Sequence, residues 1–545
     1  MNSFLVLIAV IIITCVVLNN FSFKIGVPVL LAFIVLGILF GNNGLVPIQM
    51  TLADREDVGD ICTVALIFIM FYGGFGTSWK GTKPVALEAG LLASVGVMIT
   101  AGLVGVLCHF LLRWEWVESL LMGSVIASTD AASVFSILRS RRLGLKNNIS
   151  PLLELESGSN DPCSYMMTIL MLSIMKGEAT VGHAIGLLCS QLGFGLLFGF
   201  LIAVVATLFF EKVRFVSSGF NSLFLVAVAL ISYALPSLVN GNGYLSAYIA
   251  GIFLGNRRFD NKKELVNFFD GITGLMQVII FFMLGLLAHP ANLGRSILPS
   301  LAIFLMLFLV ARPIAVFSIL SFFRNGGLFA KGKYDLKSQL LVSFCGLRGA
   351  ASIVFAIIAT VGNGLLQHDL FNIVFCIVLI SILVQGSLIP RVAKKLDMID
   401  ADCDVMKTFS DFSDEVDLQF SLVHVEPGGP WDGKLVRELG VPKDFLLCMV
   451  KKPGEEQKGL IPNGNTLLEA GDEVVICSKE FSSSNNIKIV KHTLGDRDNE
   501  IGRCVRDLSY EKAQVLMIQR GRKTLIPHGG TKLEPGDIVY INQSI

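Results

Sequence analysis

The sequence predicts a polytopic α-helical membrane protein of about thirteen spans, followed by a soluble α+β tail. Three observations carry this. Only 16% of the 545 residues are charged while 53% are hydrophobic, and the mean hydropathy is +0.68. A soluble domain carries about a quarter charged residues, so the deficit points to lipid as the solvent. Apolar runs of crossing length recur up to residue 389, and a crossing helix needs about 20 apolar residues. After Lys395 the composition turns polar and acidic.

Taken in order, the candidate spans are 3–19, 25–41, 60–76, 85–112, 119–138, 151–175, 183–210, 219–239, 243–255, 267–288, 296–322, 338–360 and 366–389. The N-terminus lacks a basic stretch and a small-residue cleavage site before Asn19, so 3–19 reads as a span rather than a removed signal peptide. Loop charge orients the map. With the N-terminus outside, the cytoplasmic loops hold twenty Lys and Arg residues and the outer loops four: Arg55, Arg113, Lys176 and Arg295. That bias follows the positive-inside rule and puts the C-terminus in the cytoplasm. The net charge of +1 gives no basic field for nucleic acid. Eleven cysteines are scattered without a C-x-x-C pair, and several (Cys15, Cys108, Cys189, Cys376) sit inside apolar runs as small hydrophobes.

The boundaries expected are a membrane domain at 1–396, an acidic linker at 397–417, and two soluble modules at 418–482 and 483–545. The linker carries eight acids against Lys407 and reads as solvated. The modules are a duplication. Gly-Lys-Leu-Val-Arg-Glu-Leu at 433–439 matches Gly-Arg-Cys-Val-Arg-Asp-Leu at 502–508, and 459–476 matches 524–541 at 11 of 18 positions. Each copy reads as a short helix, a β-run (Phe445–Lys451, Gln514–Gln519), a turn and a final strand. His424, His492 and His528 are isolated, and neither copy holds a catalytic constellation.

Ionisable groups inside a bilayer are costly and therefore functional candidates. The conspicuous ones are Asp130, Glu154, Glu156, Asp161, Arg312 and Arg348. Span five contains Ala127-Ser-Thr-Asp-Ala131, whose side chains compete with a helical backbone for hydrogen bonds. Span twelve contains Cys345-Gly-Leu-Arg-Gly349. Both patterns predict interrupted helices, and paired interruptions point to an inverted-repeat transporter. In span six, Glu154, Ser157 and Asp161 share a face, with Glu156 and Asn160 beside it. Asp161 is the candidate proton and cation site, with Ser157, the Thr129 hydroxyl and freed carbonyls as oxygen ligands. Hard oxygens suit an alkali ion, and no thiolate or imidazole set selects a transition metal. Glu156 can pair with Arg348, or Arg312 can take Glu154 or Glu156; spacing leaves these open. A carboxylate that binds a proton or a cation, but not both, couples opposite fluxes if it faces each side in turn.

Ser128-Thr-Asp-Ala, Glu154-Leu-Glu-Ser-Gly-Ser-Asn-Asp-Pro162 and Gly346-Leu-Arg-Gly-Ala resemble the NhaP-type branch of monovalent cation:proton antiporters. The resemblance covers about residues 1–395. It implies an inverted-repeat antiporter fold with a six-helix core domain, a homodimer, and a role in pH homeostasis. It implies Asp161 as the exchange site, Thr129 and Ser157 as ion ligands, Asp130 at the helix crossover and a structural Glu156–Arg348 pair. Asn160 stands where the electrogenic branch has a second aspartate, which implies electroneutral exchange. Some relatives carry an acid in span three, where this chain has Phe71-Tyr-Gly-Gly-Phe-Gly76. The tail resembles tandem RCK-C (TrkA-C) modules, which implies a small regulatory ligand such as cyclic di-AMP or another nucleotide. The combination is similar to the potassium/proton antiporters of bacterial inner membranes. No other cofactor is implied.

Two other classes compete: a ligand-gated cation channel, and a membrane sensor whose spans only anchor it. A channel wants a filter of stacked carbonyls such as T-V-G-Y-G, which the sequence lacks. An anchor does not need four acids and two arginines in the membrane. No nucleophile–base pairing or Walker A motif suggests an enzyme. An Na+/H+ antiporter without ligand gating is the nearest variant of the main reading.

Overall fold

A computed structural model describes residues 13–15, 17, 29–41, 52–140, 143–177, 180–212, 218–257, 262–288, 290–323, 334–361, 365–400, 418–440, 445–452, 460, 462–479, 487–494, 498, 500–507, 513–520, 523–525, 527 and 529–544. The chain divides into two compact units, Met1–Asp414 and Glu415–Ile545.

The first unit is helical. Its elements are α1 (Val29–Phe40), α2 (Leu52–Gly76), α3 (Trp79–Leu112), α4 (Trp116–Val125), α5 (Ala131–Ser140), β1 (Gly144–Leu145), α6 (Ile149–Met175), α7 (Val181–Lys212), α8 (Ser218–Ser237), α9 (Gly243–Gly255), α10 (Lys262–Leu287), α11 (Pro290–Met306), α12 (Arg312–Leu320), α13 (Leu336–Phe344), α14 (Ala350–Thr360), α15 (Leu370–Ile380), α16 (Ser387–Lys395) and β2 (Ile399–Asp400). Three π-helical turns interrupt this set, at Leu92–Gly96 within α3, Leu307–Ala311 between α11 and α12, and Ser381–Gly386 between α15 and α16. Among the described residues, seven helices are long and apolar enough to cross a membrane, and three shorter ones are apolar. The expected span 3–19 lies almost wholly outside the described residues. β1 and β2, which sequence reasoning did not anticipate, pair antiparallel.

Helix packing in lipid relies on close approach of small residues. At α2 and α9 this is literal: a Cβ on Gly251 would lie 2.2 Å from the Phe71 carbonyl oxygen, and one on Gly74 2.3 Å from that of Tyr248. Leu66, Met122, Phe281, Phe355 and Phe375, from α2, α4, α10, α14 and α15, belong to the largest buried cluster. Asn242 caps α9 by accepting from Leu245 N at 3.0 Å and also donates to the Pro162 carbonyl at 2.8 Å, tying α9 to α6. Asp335 caps α13, accepting from Ser338 N at 2.9 Å.

The second unit contains two antiparallel sheets. The first has the order β3–β5–β4, from β3 (Leu418–His424), β4 (Phe445–Lys451) and β5 (Glu473–Lys479). The other has the order β6–β9–β7–β8, from β6 (Ile487–Thr493), β7 (Ala513–Arg520), β8 (Lys523–Leu525) and β9 (Ile538–Ser544). The sheets repeat one another in detail. The register shifts at Leu447/Met449 in one and Val515/Met517 in the other. Gly433 N donates to Leu468 O as Gly502 N does to Leu533 O, and Val425 N to Asp472 O as Leu494 N to Asp537 O. The opening strands β3 and β6 were absent from the sequence-based outline.

Candidate functional site

Two helices are broken where polar and glycine residues cluster. α4 ends at Val125, the backbone is non-helical from Ala127 to Asp130, and α5 begins at Ala131. α13 ends at Phe344, Leu347 N folds back on Cys345 O at 2.9 Å, and α14 begins at Ala350. The two breaks touch: Asp130 N donates to Leu347 O at 2.8 Å.

Asp130 is the N-cap of α5. Its carboxylate accepts from Ser133 N at 3.1 Å and from Ser133 Oγ at 2.5 Å. It also lies against Gly349, where a Cβ would sit 2.1 Å from Asp130 Oδ2. One acid therefore faces the start of both α5 and α14, where helix dipoles favour negative charge. Arg348 supplies the complement. Its Nη1 donates to the carbonyls of Ala127 at 2.7 Å and Ser128 at 2.5 Å, just beyond the end of α4. A cation there meets the negative end of the half-helix.

α6 runs past the crossing and contributes three polar residues. Asp161 is buried, and its Oδ1 accepts from the Ser128 hydroxyl. Asn160, fully buried, donates from Nδ2 to the Thr129 hydroxyl at 2.6 Å and accepts from Thr129 N at 3.3 Å. Ser157 Oγ accepts from Ala131 N at 2.9 Å and donates to Thr129 O at 2.8 Å. Asn160 and Ser157 thus pin the first break to α6, and Asp161 meets the Ser128 hydroxyl. A hydroxyl has two lone pairs, so the Thr129 and Ser157 oxygens each keep one beyond the bond they accept. Pro162 follows Asp161 and lacks an N–H, which removes a helical hydrogen-bond partner one turn back at Gly158. Glu154 is half-buried on the same helix, within electrostatic reach of Tyr248.

The structure corrects the expected Glu156–Arg348 pair. Glu156 is paired with Arg312, whose Nη1 lies 2.6 Å from Glu156 Oε1, both side chains being buried. The contact is ionic without hydrogen-bond alignment. Arg348 spends its Nη1 on carbonyls, and its Nε and Nη2 have no hydrogen-bond partner. The physical reason is the broken helix: two carbonyls released at the end of α4 lie within reach of Arg348, and Arg312 is left for the acid. Sequence reasoning also missed three side chains of the assembly. Ser128 stood inside the Ser-Thr-Asp motif but was given no role. Ser381 and Gln385 were passed over, although a glutamine within an apolar run was a visible signal.

A buried carboxylate beside two interrupted, crossing helices is the architecture of a secondary transporter, with its site where backbone polar groups are freed inside the bilayer. The chain belongs to the sodium/hydrogen exchanger family: residues 6–395 match the model described as sodium/hydrogen exchanger, transmembrane. Residues 420–480 match the TrkA-C domain. The K(+)/H(+) antiporter NhaP of Alkalimonas amylolytica is 33% identical over 411 residues, 73% of this chain and 67% of that protein. The K(+)/H(+) antiporter NhaP2 of Shewanella sp. strain ANA-3 is 30% identical over 511 residues, 91% of this chain and 86% of that one. The structure of the sodium proton antiporter MjNhaP1 from Methanocaldococcus jannaschii superposes with a TM-score of 0.62 at 21% identity, covering 72% of this chain and 99% of the other. At that identity the likeness establishes the fold.

Proposed function

We propose that this protein exchanges potassium for protons across a bacterial inner membrane, with Asp161 as the exchange carboxylate. The observation that carries the proposal is the buried Asp161 held by the Ser128 hydroxyl beside two crossed, interrupted helices. A carboxylate so enclosed binds a proton or a metal cation in turn. The ion is the cargo; Asp161, the remaining lone pairs of Ser157 and Thr129, and nearby backbone oxygens are its ligands. Asn160 leaves one titrating group on this stretch of α6, which supports one-for-one electroneutral exchange. Asp130 answers the starts of α5 and α14, Arg348 answers the end of α4, and Arg312 keeps Glu156 in place.

Potassium is favoured because relatives covering most of the chain are named K(+)/H(+) antiporters. Thirteen spans in an inverted repeat, an outer N-terminus and a homodimer complete the reading. The duplicated backbone bonds of the two sheets support two tandem TrkA-C modules in the cytoplasm, at 418–482 and 483–545, after a linker at 397–417. Those modules regulate transport through a small ligand, with cyclic di-AMP or another nucleotide as the candidate class.

The test is reconstituted transport with a pH dye, comparing K+, Na+ and Rb+ with and without cyclic di-AMP. K+ addition dissipates the proton gradient in the parent protein and fails to do so in Asp161→Asn. Full exchange by Asp161→Asn overturns the mechanism; a preference for Na+ revises the cargo alone.

A further inference from the structure

The π-helical turn at Ser381–Gly386 places two buried polar side chains against the second helix break. A π-turn inserts an extra residue and redirects side chains, and such turns gather at functional sites. Here Ser381 Oγ accepts from the Arg348 backbone N–H at 3.1 Å and donates to Gln385 Oε1 at 2.6 Å. Gln385 Nε2 donates to the Phe344 carbonyl at 3.2 Å. The pair therefore spans the break, meeting the last carbonyl of α13 on one side and an amide just before α14 on the other.

The bonds continue toward the exchange carboxylate. Arg348 is fixed at its backbone by Ser381, and its guanidinium holds the carbonyl of Ser128. The hydroxyl of that same Ser128 donates to Asp161. From Gln385 to Asp161 the connection runs through named hydrogen bonds and one covalent residue at each step. Both residues of the turn are buried, with Ser381 at 0% and Gln385 at 3% exposure, so water cannot substitute for a lost bond at no cost.

We infer that Ser381 and Gln385 are positioning residues for cation selection: through Arg348 they set where the Ser128 hydroxyl meets Asp161, and hence how tightly the site holds one alkali ion relative to another. The inference rests on Asp161 as the exchange site. Neither residue touches the cargo. Their loss loosens the placement of Arg348 and Ser128 while leaving Asp161 and its proton in place. Affinity and ion discrimination therefore change more than the maximum rate.

The experiment measures exchange in proteoliposomes for K+, Na+ and Rb+ with Ser381→Ala, Ser381→Thr and Gln385→Leu, alongside Asp161→Asn. Loss of one buried hydrogen bond raises the half-saturating cation concentration about three- to tenfold, with the ratio among the three ions altered and the maximum rate little changed. Ser381→Thr, which keeps the hydroxyl, restores the parent values. A purely structural role lowers the yield of folded protein and leaves half-saturation and ion ratios alone. If Gln385→Leu fails to reach the membrane, Ser381→Ala decides, since it deletes a single oxygen. Parent half-saturation and ion ratios in Ser381→Ala overturn the inference, provided Asp161→Asn is inactive. An active Asp161→Asn overturns the exchange reading beneath it and the inference with it.

Discussion

Replacing Arg312 should destabilise the membrane unit more than replacing Arg348. Arg312 and Glu156 are buried and their charged atoms lie 2.6 Å apart. Removing one partner of such a pair leaves an uncompensated charge in low dielectric, at a cost of about 3–5 kcal/mol. Replacing both by apolar residues of similar volume removes the desolvation cost as well, so that Glu156→Leu with Arg312→Met is close to neutral. The double-mutant cycle then returns a coupling of at least about 3 kcal/mol, because the two single losses do not add. The parallel cycle for Glu156 and Arg348 returns a smaller coupling, since the two charges sit in one buried cluster without forming an ion pair. Arg348→Met costs about 1–3 kcal/mol, chiefly for the carbonyls of Ala127 and Ser128 that it abandons. Reversible unfolding in mixed detergent micelles reads both cycles. A Glu156–Arg348 coupling equal to or above that of Glu156–Arg312 refutes the pairing and the argument from freed carbonyls behind it.

Other expectations are more local. Gly349→Ala places a Cβ against the Asp130 carboxylate and forces it off Ser133, costing about 1–3 kcal/mol; a melting temperature equal to the parent's would contradict the tight crossing. Asn242→Ala loses the cap of α9 and leaves the Pro162 carbonyl without its donor, a loss of about 1–3 kcal/mol measurable by the same unfolding assay. In the tail, the bidentate Arg520 guanidinium holds the Asp537 carboxyl below its ordinary range, at 2.9 Å for both Nε–Oδ1 and Nη2–Oδ2. A depressed carboxyl contributes stability that is complete above its unfolded value of about 3.9 and is lost as pH falls through the folded value. Hydrogen exchange of the β7 and β9 amides should therefore lose protection on acidification below about pH 4, and Arg520→Ala should weaken that dependence, leaving the share held by the Glu534 N–H.

How much of this was legible depended on whether the physics was local. The breaks at Ala127–Asp130 and Gly346–Gly349 could be read because Ser, Thr, Asp and Gly disfavour a continuous helix where they stand. The span at 243–255 is read from its apolar run alone, and the structure adds the reason for its start: Asn242 is the cap of α9. The tail modules were visible as a repeat because the Leu-Glu-x-Gly-Asp turns need particular residues. The strands β3 and β6 were missed: 418–424 and 487–493 become strand by pairing with β5 and β9, about fifty positions downstream. The two-residue ladder of β1 with β2 joins residues 144 and 400 and leaves no periodic trace.

The site divides along the same line. Asp161, Asn160, Ser157, Thr129 and Asp130 lie on two stretches of chain, and the bonds of Asn160 and Ser157 to Thr129 follow from placing α6 against one break. The arginines could not be assigned that way, since Arg312 and Arg348 are both single cations in apolar stretches of sequence and spacing gives each the same claim on an acid. The deciding fact is what else competes for them. Arg348 lies beside the end of a half-helix, where carbonyls have lost their intrahelical donors and accept from a guanidinium. Arg312 follows a π-turn on an otherwise continuous helix and faces Glu156. The same reasoning explains Ser381 and Gln385. An interrupted helix exposes donors and acceptors that a bilayer will not solvate, so neighbouring helices must supply polar side chains to meet them. A serine and a glutamine four residues apart in an apolar span are therefore evidence of a break elsewhere in the fold, and Phe344 and Arg348 are where that evidence leads.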